Sequence, residues 1–408
     1  MSAPESIPPD SPLDADSRSI RLKELAALFF RLGATAFGGP AVHIAMMEDE
    51  VVRQRGWMTH RRFLDLIAAT NLIPGPNSTE MAIHIGYDRA GWPGLAVAGL
   101  AFIIPAVLIV LGLSAAYVTW GDLPETGWIL YGVKPVLAAV ILQAIWAMGR
   151  AAIRSMTLAL AGAVSFLMCL AGINEILLLV TIGTALLALE GFRSKQPPAS
   201  SQDSRLNSPV PCTLLAILMA GSATIAAITP EKLFWFFAKT GSVLYGSGYV
   251  LFAFIQNELV NRLGWMTSDE LLDAMAIGQL TPGPLFTTAT FIGYVLGAKA
   301  GTGTLLTALS ATAGIFLPAF FFVAVTGPWV HRLRGSRLMG SFLDGVVVAS
   351  LALMLAVAVS LAGTALGDPY TAAIATVSIV LLVRFHINST WLIAGGAALG
   401  WVMKAWVG

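Results

Sequence analysis

Charge is scarce in this chain. Asp, Glu, Lys and Arg make up 12% of its 408 residues, about half the share of a soluble globular domain. The scarcity excludes an ordinary water-facing surface. The charge that is present nearly cancels, at +1 net with a pI near 7.8, so no nucleic-acid partner is expected. Cysteine is almost absent. Cys169 and Cys212 both lie in or beside apolar runs and read as small buried hydrophobes. No Cys/His cluster has metal-ligand spacing, and no metal or other cofactor is expected. Short alternating strands are missing, which argues against a β-barrel. The first residues, MSAPESIPPDSPLDADS, have no basic start and no apolar stretch, so they are not a signal peptide. Residues 1–18 read as a disordered cytoplasmic tail.

Apolar residues are abundant, at 56% of the chain with a mean hydropathy of +0.77. Long apolar runs recur, among them Gly94–Tyr117, Ile129–Met148, Thr302–Val325 and Val346–Leu361. Several reach the roughly 20 residues that cross a bilayer as a helix. The fold class is therefore an all-α polytopic membrane protein, with ten to thirteen helical membrane segments expected.

One pattern occurs twice. A shift of 208 residues carries Pro74-Gly75-Pro76 onto Pro282-Gly283-Pro284. The same shift superposes Gly33 on Gly241, Gly38 on Gly246, Glu50 on Glu258, Asp65 on Asp273, and Gly56-Trp57-Met58-Thr59 on Gly264-Trp265-Met266-Thr267. Agreement of Gly, Trp and Pro over about fifty ungapped positions marks a duplication. The copies are 19–190 and 230–408. A Ser/Pro-rich linker (191–211) and one extra transmembrane helix (212–229) lie between them.

Lysine and arginine mark the cytoplasmic side of a membrane protein. They occur at Arg18, Arg21 and Lys23, at Arg150 and Arg154, and in the linker at Arg193, Lys195 and Arg205. The loop at Asp122 and Glu125 has none. Its counterpart in the second copy, residues 331–337, has three arginines. The repeats therefore face opposite ways, as in secondary transporters with a site near the midplane. A duplicated scaffold or a membrane enzyme is the competing reading. No nucleophile elbow, phosphate loop or Asp-rich metal motif is present.

A proline stops a helix and a glycine lets the chain reverse, so each Pro-Gly-Pro reads as a break between half-helices. Leu64–Tyr87 can form a re-entrant hairpin rather than a full crossing. A new helix starts just after Pro76, with Asn77 or Ser78 as N-cap. Pro284 opens the matching one, followed by Thr287. Two free helix N-termini make an anion cradle; a kink used only for packing is the alternative. Glycine-rich breaks also occur at Gly38-Gly39-Pro40 and Gly246-Ser247-Gly248. Arg31 and Lys239 align and put a cation in an apolar run of each copy. They are expected to line the substrate path, although Arg31 can also snorkel to a headgroup. His43, and the aligned pair Asn71 and Gln279, supply further hydrogen-bonding groups. Glu80 and His84, one turn apart, can relay protons or form a satisfied polar pair.

The stretches RLGATAFGGPAVHIAMMEDEVV and NLIPGPNSTEMAIHIGY, with GSGYVLFAFIQNELVNRLGWMT and GQLTPGPLFTTATFIGY, resemble the chromate ion transporter (CHR) superfamily, in its long two-domain bacterial form. The resemblance covers nearly all of the chain beyond the tail. It implies a multi-pass inner-membrane protein with a cytoplasmic N-terminus that exports chromate, driven by the proton-motive force, and confers chromate resistance. It implies functional roles for Arg31, the Gly38-Gly39-Pro40 stretch, His43, both Pro-Gly-Pro motifs and Gly246-Ser247-Gly248. Glu80 departs from relatives that carry an uncharged polar residue there. The partners implied are chromate or a similar tetrahedral oxyanion, protons and membrane lipid, with a homodimer as the common assembly of transporters. A sulfate or other oxyanion permease is the alternative.

Overall fold

The computed structural model describes residues 15–121, 123–193, 227–246, 248–326 and 337–407. The linker beyond residue 193, nearly all of the extra helix at 212–229, most of the tail and the arginine-rich loop up to 336 lie outside the described residues. Among the described residues, regular structure is entirely helical, with fifteen α-helices.

The first copy runs α1 (Ala15–Thr35), α2 (Pro40–Glu48) with a π-helical extension (Asp49–Gln54), α3 (His60–Thr70), α4 (Asn77–Trp120), α5 (Pro124–Ala152), α6 (Met156–Leu170) and α7 (Glu175–Arg193). The second runs α8 (Pro230–Gly241), α9 (Val250–Ile255) with a π-helical extension (Gln256–Arg262), α10 (Ser268–Leu280), a 3-10 turn (Leu285–Thr287), α11 (Thr288–Ala300), α12 (Thr304–Thr326), α13 (Arg337–Ala365), α14 (Pro369–Arg384) and α15 (Ser389–Val407). Five helices among the described residues are long and apolar enough to cross a membrane: α4, α5, α7, α12 and α13. The protein is a multi-pass α-helical membrane protein.

The duplicated residues explain the duplicated geometry. Gly56 and Gly264 take left-handed φ values of 59° and 61° and end the two π-helical segments. Thr59 and Thr267 then cap α3 and α10, accepting hydrogen bonds from Arg62 N–H and Glu270 N–H. Helix α4 is two helices in one. Its backbone leaves helical geometry at Ala90 and Gly91, where Gly91 has φ 64°, and Pro93 restarts it. The second copy makes the same bend between α11 and α12 at Gly301, also with φ 64°. The bend there is longer, and from this point counterparts differ by 213; Pro105 matches Pro318 inside α4 and α12.

Two contacts give the relative orientation of the copies. Arg62 of α3 pairs with Asp88, just before the α4 bend, at 2.5 Å. Asp273 of α10, the counterpart helix, accepts a 2.8 Å hydrogen bond from Tyr117 at the far end of α4. Asp88 lies at the bend where the second segment of α4 begins and Tyr117 lies near that segment's other end, so equivalent half-helices sit at its opposite ends. The pseudo-two-fold axis runs across the long helices, and the repeats are inverted.

The copies are also interlocked. Helices α6 and α7 pack on α13, while α14 and α15 pack on α5, their exchanged equivalents. Close approach depends on glycine. A Cβ at Gly132 would collide with the Gly396 carbonyl, and one at Gly345 would lie 2.9 Å from Gly183 Cα. One apolar core, including Leu137, Leu179, Phe252, Leu271, Phe291 and Ile315, is continuous across both copies.

Gly132→Ala is expected to destabilise the purified protein by about 1–3 kcal/mol through overpacking. Gly127→Ala on the same helix, where an added Cβ meets nothing within 4 Å, is expected to be neutral or to stabilise by about 0.5–1 kcal/mol. Thermal unfolding in detergent compares the two.

Candidate functional site

The two Pro-Gly-Pro loops are tied to the opposite copy. Gly75 N–H donates to Leu244 O at 2.8 Å, and Gly283 N–H donates to Ala36 O at 2.9 Å. Donors and acceptors are related by the same 208-residue shift. Each loop therefore caps the break in the other copy's first membrane segment. Both glycines have positive φ, 137° and 89°. A Cβ at Gly283 would lie 2.8 Å from Ala106 Cβ, and one at Gly75 would strike the Glu80 carboxylate.

Between the loops is a cavity lined by Gly38, Pro40, His43, Pro76, Asn77 and Ser78 of the first copy, and by Gly246, Gly248, Leu285 and Phe286 of the second. Two helix starts face it. In α4 the N-cap is Pro76, not Asn77 or Ser78 as the sequence suggests. The Pro76 carbonyl already accepts Thr79 N–H at 2.8 Å and Glu80 N–H at 3.0 Å, so the helix begins one residue earlier. The N–H groups of Asn77 and Ser78 precede that first bond and are available to a ligand. In the second copy Thr287 N–H closes on Pro284 O at 3.0 Å, which leaves Leu285 and Phe286 in the equivalent position. His43 completes the wall. Its Nε2 lies 3.1 Å from Ala36 O, and its buried Nδ1 has no partner among the described residues. About 20 Å³ is open to the centres of water molecules, room for a water or so and too little for a tetrahedral oxyanion.

Other candidates surround this wall. Gly39 caps α2 with Pro40 at its first position. Asn71 Oδ1 accepts from Asn77 Nδ2 at 3.2 Å, bridging the first break. Gln279, its counterpart, donates to Tyr249 Oη at 2.8 Å. Pro284 caps the 3-10 turn, and the Thr287 hydroxyl donates to its carbonyl. Ser247 lies outside the described residues. Glu80 and His84 are buried on α4; neither Glu80 carboxylate oxygen nor His84 Nε2 has a partner among the described residues. The counterpart of Glu80, Thr288, instead satisfies its hydroxyl on Leu285 O at 2.7 Å.

Arg31 and Lys239 require a correction: neither lies on the cavity wall. Arg31 pairs with Glu50, which Arg55 also contacts. Lys239 is within electrostatic reach of Glu175 on α7. The Glu50 carboxylate holds Arg31 aside. Arg31 lines a separate open groove of about 730 Å³ with Thr35, Ala41, Val42, Asp49 and Arg53. Helix α2 divides the groove from the cavity, with Ala41 and Val42 on one side and Pro40 and His43 on the other.

Leu285, Phe286, Tyr245 and Tyr249 were not among the candidate residues. The 208-residue shift that places Asn77-Ser78 on Leu285-Phe286 contains the signal for the first two. The tyrosines sit in and just after the second glycine break, opposite apolar Phe37 and Ala41, so the repeat gave no hint of them.

Residues 23–189 and 231–401 each match the family described as chromate transporter. The chain belongs to that family. A chromate transport protein of Cupriavidus metallidurans is 28% identical over 386 residues, covering 93% of this chain and 92% of the relative. A chromate transport protein of Pseudomonas aeruginosa is 29% identical over 373 residues, covering 88% and 86%. A probable chromate transport protein of Synechococcus elongatus is 27% identical over 365 residues, covering 88% and 89%. No solved structure matches the chain. The two matched regions of the family fall one on each inverted copy, so the cavity lies where two family units meet.

Tyr249→Phe leaves the buried Gln279 amide without its acceptor and is expected to cost about 1–3 kcal/mol. Adding Gln279→Leu is expected to recover part of that loss, which a double-mutant cycle on thermal stability measures.

Proposed function

We propose that this protein is a secondary transporter that exports chromate across the bacterial inner membrane and thereby confers chromate resistance. The observation that carries the reading is the convergence of two half-helix N-termini, one from each inverted copy, on a single cavity. Helix N-termini present unpaired N–H groups and a positive dipole end to an anion. Asn77, Ser78, Leu285 and Phe286 supply those groups, and His43 closes the wall beside them. Gly38, Pro40, Pro76, Gly246 and Gly248 keep the walls close to the ligand. The names of the relatives supply the substrate.

The cavity is contracted, so an oxyanion requires the copies to part. Inverted repeats provide for this, because rocking one copy against the other exposes the site alternately to each side. Arg31 serves the approach rather than the site, in the groove beside α2. The end of the molecule carrying Arg21, Arg62 and Arg89 faces the cytoplasm under the positive-inside rule, which places the N-terminus there.

Glu80 and His84 carry the proton-coupling role in this reading. Glu80 is 0% exposed, lies against Gly75 and is within electrostatic reach of Tyr245 of the other copy. A proton taken up or released there acts on the loop that joins the copies. Thr288 gives the second copy no such group, so coupling resides in one copy alone.

Chromate is expected to raise the thermal stability of the purified protein by about 2.7 kcal/mol at a hundredfold excess over its Kd, and sulfate, molybdate or phosphate at the same concentration is expected to do less. Gly248→Leu, whose added Cβ starts 3.1 Å from Leu285 Cδ2, is expected to abolish both this stabilisation and chromate efflux. Equal stabilisation by wild type and variant would remove the cavity as the site. Glu80→Gln is expected to retain chromate–chromate exchange in proteoliposomes and to lose movement driven by a pH gradient. Gradient-driven transport that survives the substitution would exclude Glu80 from coupling.

A further inference from the structure

A second groove lies on the outer surface, away from the cavity between the copies. Helices α5 and α6 diverge over α13 and leave a groove of about 700 Å³. Its floor is hollowed by small residues. A Cβ at Gly162 would approach Val348 Cγ1 to 3.0 Å, and one at Gly149 would lie 3.5 Å from Leu351 Cδ2. Its sides are apolar, with Leu142, Ile145, Phe166 and Leu355 among them. The one charged lining residue is Arg150, near the α5 C-terminus.

Three observations bear on the depth and charge of that end. Trp146, 63% exposed, lies one turn before Arg150 on the groove rim. An exposed tryptophan in a membrane-spanning helix marks the headgroup level. Arg150 makes no hydrogen bond or ion pair among the described residues. Arg154, four residues on, spends only its Nε on Ala151 O at 2.8 Å, and its terminal guanidinium nitrogens remain available. The other copy carries Val359, Gly363 and Gly367 in place of Trp146, Arg150 and Arg154. The inverted counterpart, which meets the opposite leaflet, therefore has neither the aromatic marker nor the cations.

We propose that this groove binds an anionic phospholipid, with an acyl chain along Gly149, Gly162 and Leu351 and the phosphate held by Arg150 and Arg154. An apolar trough that ends in cations with no ion pair among the described residues matches a molecule with one apolar and one anionic end. A second copy of this chain would bring no such anion unless it placed an acid against Arg150. Bound lipid would link α5 and α6 of the first copy to α13 of the second, and so brace the contact between the copies. The site depends on neither the identity of the transported ion nor the proton route.

The test uses the full chain, delipidated in an uncharged detergent, with native mass spectrometry and thermal unfolding as readouts. Phosphatidylglycerol is expected to be retained and to raise Tm. Phosphatidylcholine of the same chain length is expected to do neither, and soluble glycerol phosphate is expected not to raise Tm. Arg150→Gln with Arg154→Gln is expected to weaken phosphatidylglycerol retention about thirty-fold, the effect of two headgroup-level cations. Ala163→Leu, at an exposed position in the trough, is expected to reduce retention with the arginines intact and the fold unchanged. Equal retention of both lipids by wild type and the double variant would overturn the proposal. So would an Ala163→Leu protein that keeps its lipid but changes from dimer to monomer, which would assign the groove to a second copy.

Discussion

A helix broken inside a bilayer must still satisfy its backbone polar groups, and this constraint shapes the molecule. In hydrocarbon each unpaired N–H or C=O costs several kcal/mol. The solution here is reciprocal. The Gly75 N–H meets the Leu244 carbonyl, and the Gly283 N–H meets the Ala36 carbonyl. Neither copy can close its own break, so neither makes this arrangement alone. The same exchange recurs at larger scale, where the last two helices of each copy pack on the long helix of the other. The N–H groups of the first turns that face the central cavity are left for an anion to use.

Pseudo-symmetry sets the scaffold, and departures from it carry the chemistry. Arg62 and Glu270 occupy equivalent positions, yet one pairs with Asp88 and the other with Lys299, so the ion pair is kept with its polarity reversed. Both versions fasten a half-helix to the helix after the break. Elsewhere the change is not conservative. Glu80 is buried without a partner, whereas Thr288 satisfies itself locally. Glu175 approaches Lys239, while the equivalent loop of the second copy carries Ser389 and leaves Arg31 to its own copy's Glu50. A transporter needs the copies alike enough to exchange conformations and unlike enough to be driven one way.

Much of this is legible without coordinates. Gly56-Trp57-Met58-Thr59 and its echo are visible as a repeat, and the structure gives the reason: glycine ends a π-helical segment and threonine caps the next helix. The Pro-Gly-Pro loops read as breaks because proline and glycine act on the local backbone. The bend at Gly91 is harder to see, since one glycine within a long apolar run resembles many packed glycines. The places of Arg31 and Lys239 are not legible in the repeat, because a matched cation suits an ion pair as well as a substrate site. The choice was made by Glu50, 19 residues away, and by Glu175 in the opposite copy.

The sequence by itself determined the membrane setting, the duplication, the inversion and the places where helices stop. These follow from composition, periodicity and backbone chemistry, which act over a few residues or through charge bias between loops. Only the tertiary structure decided which copy closes which break, which N–H groups stay open, and which charged side chains neutralise one another. Those outcomes depend on groups far apart in the chain meeting within about 3 Å, the range over which hydrogen bonds form. No local pattern specifies such meetings.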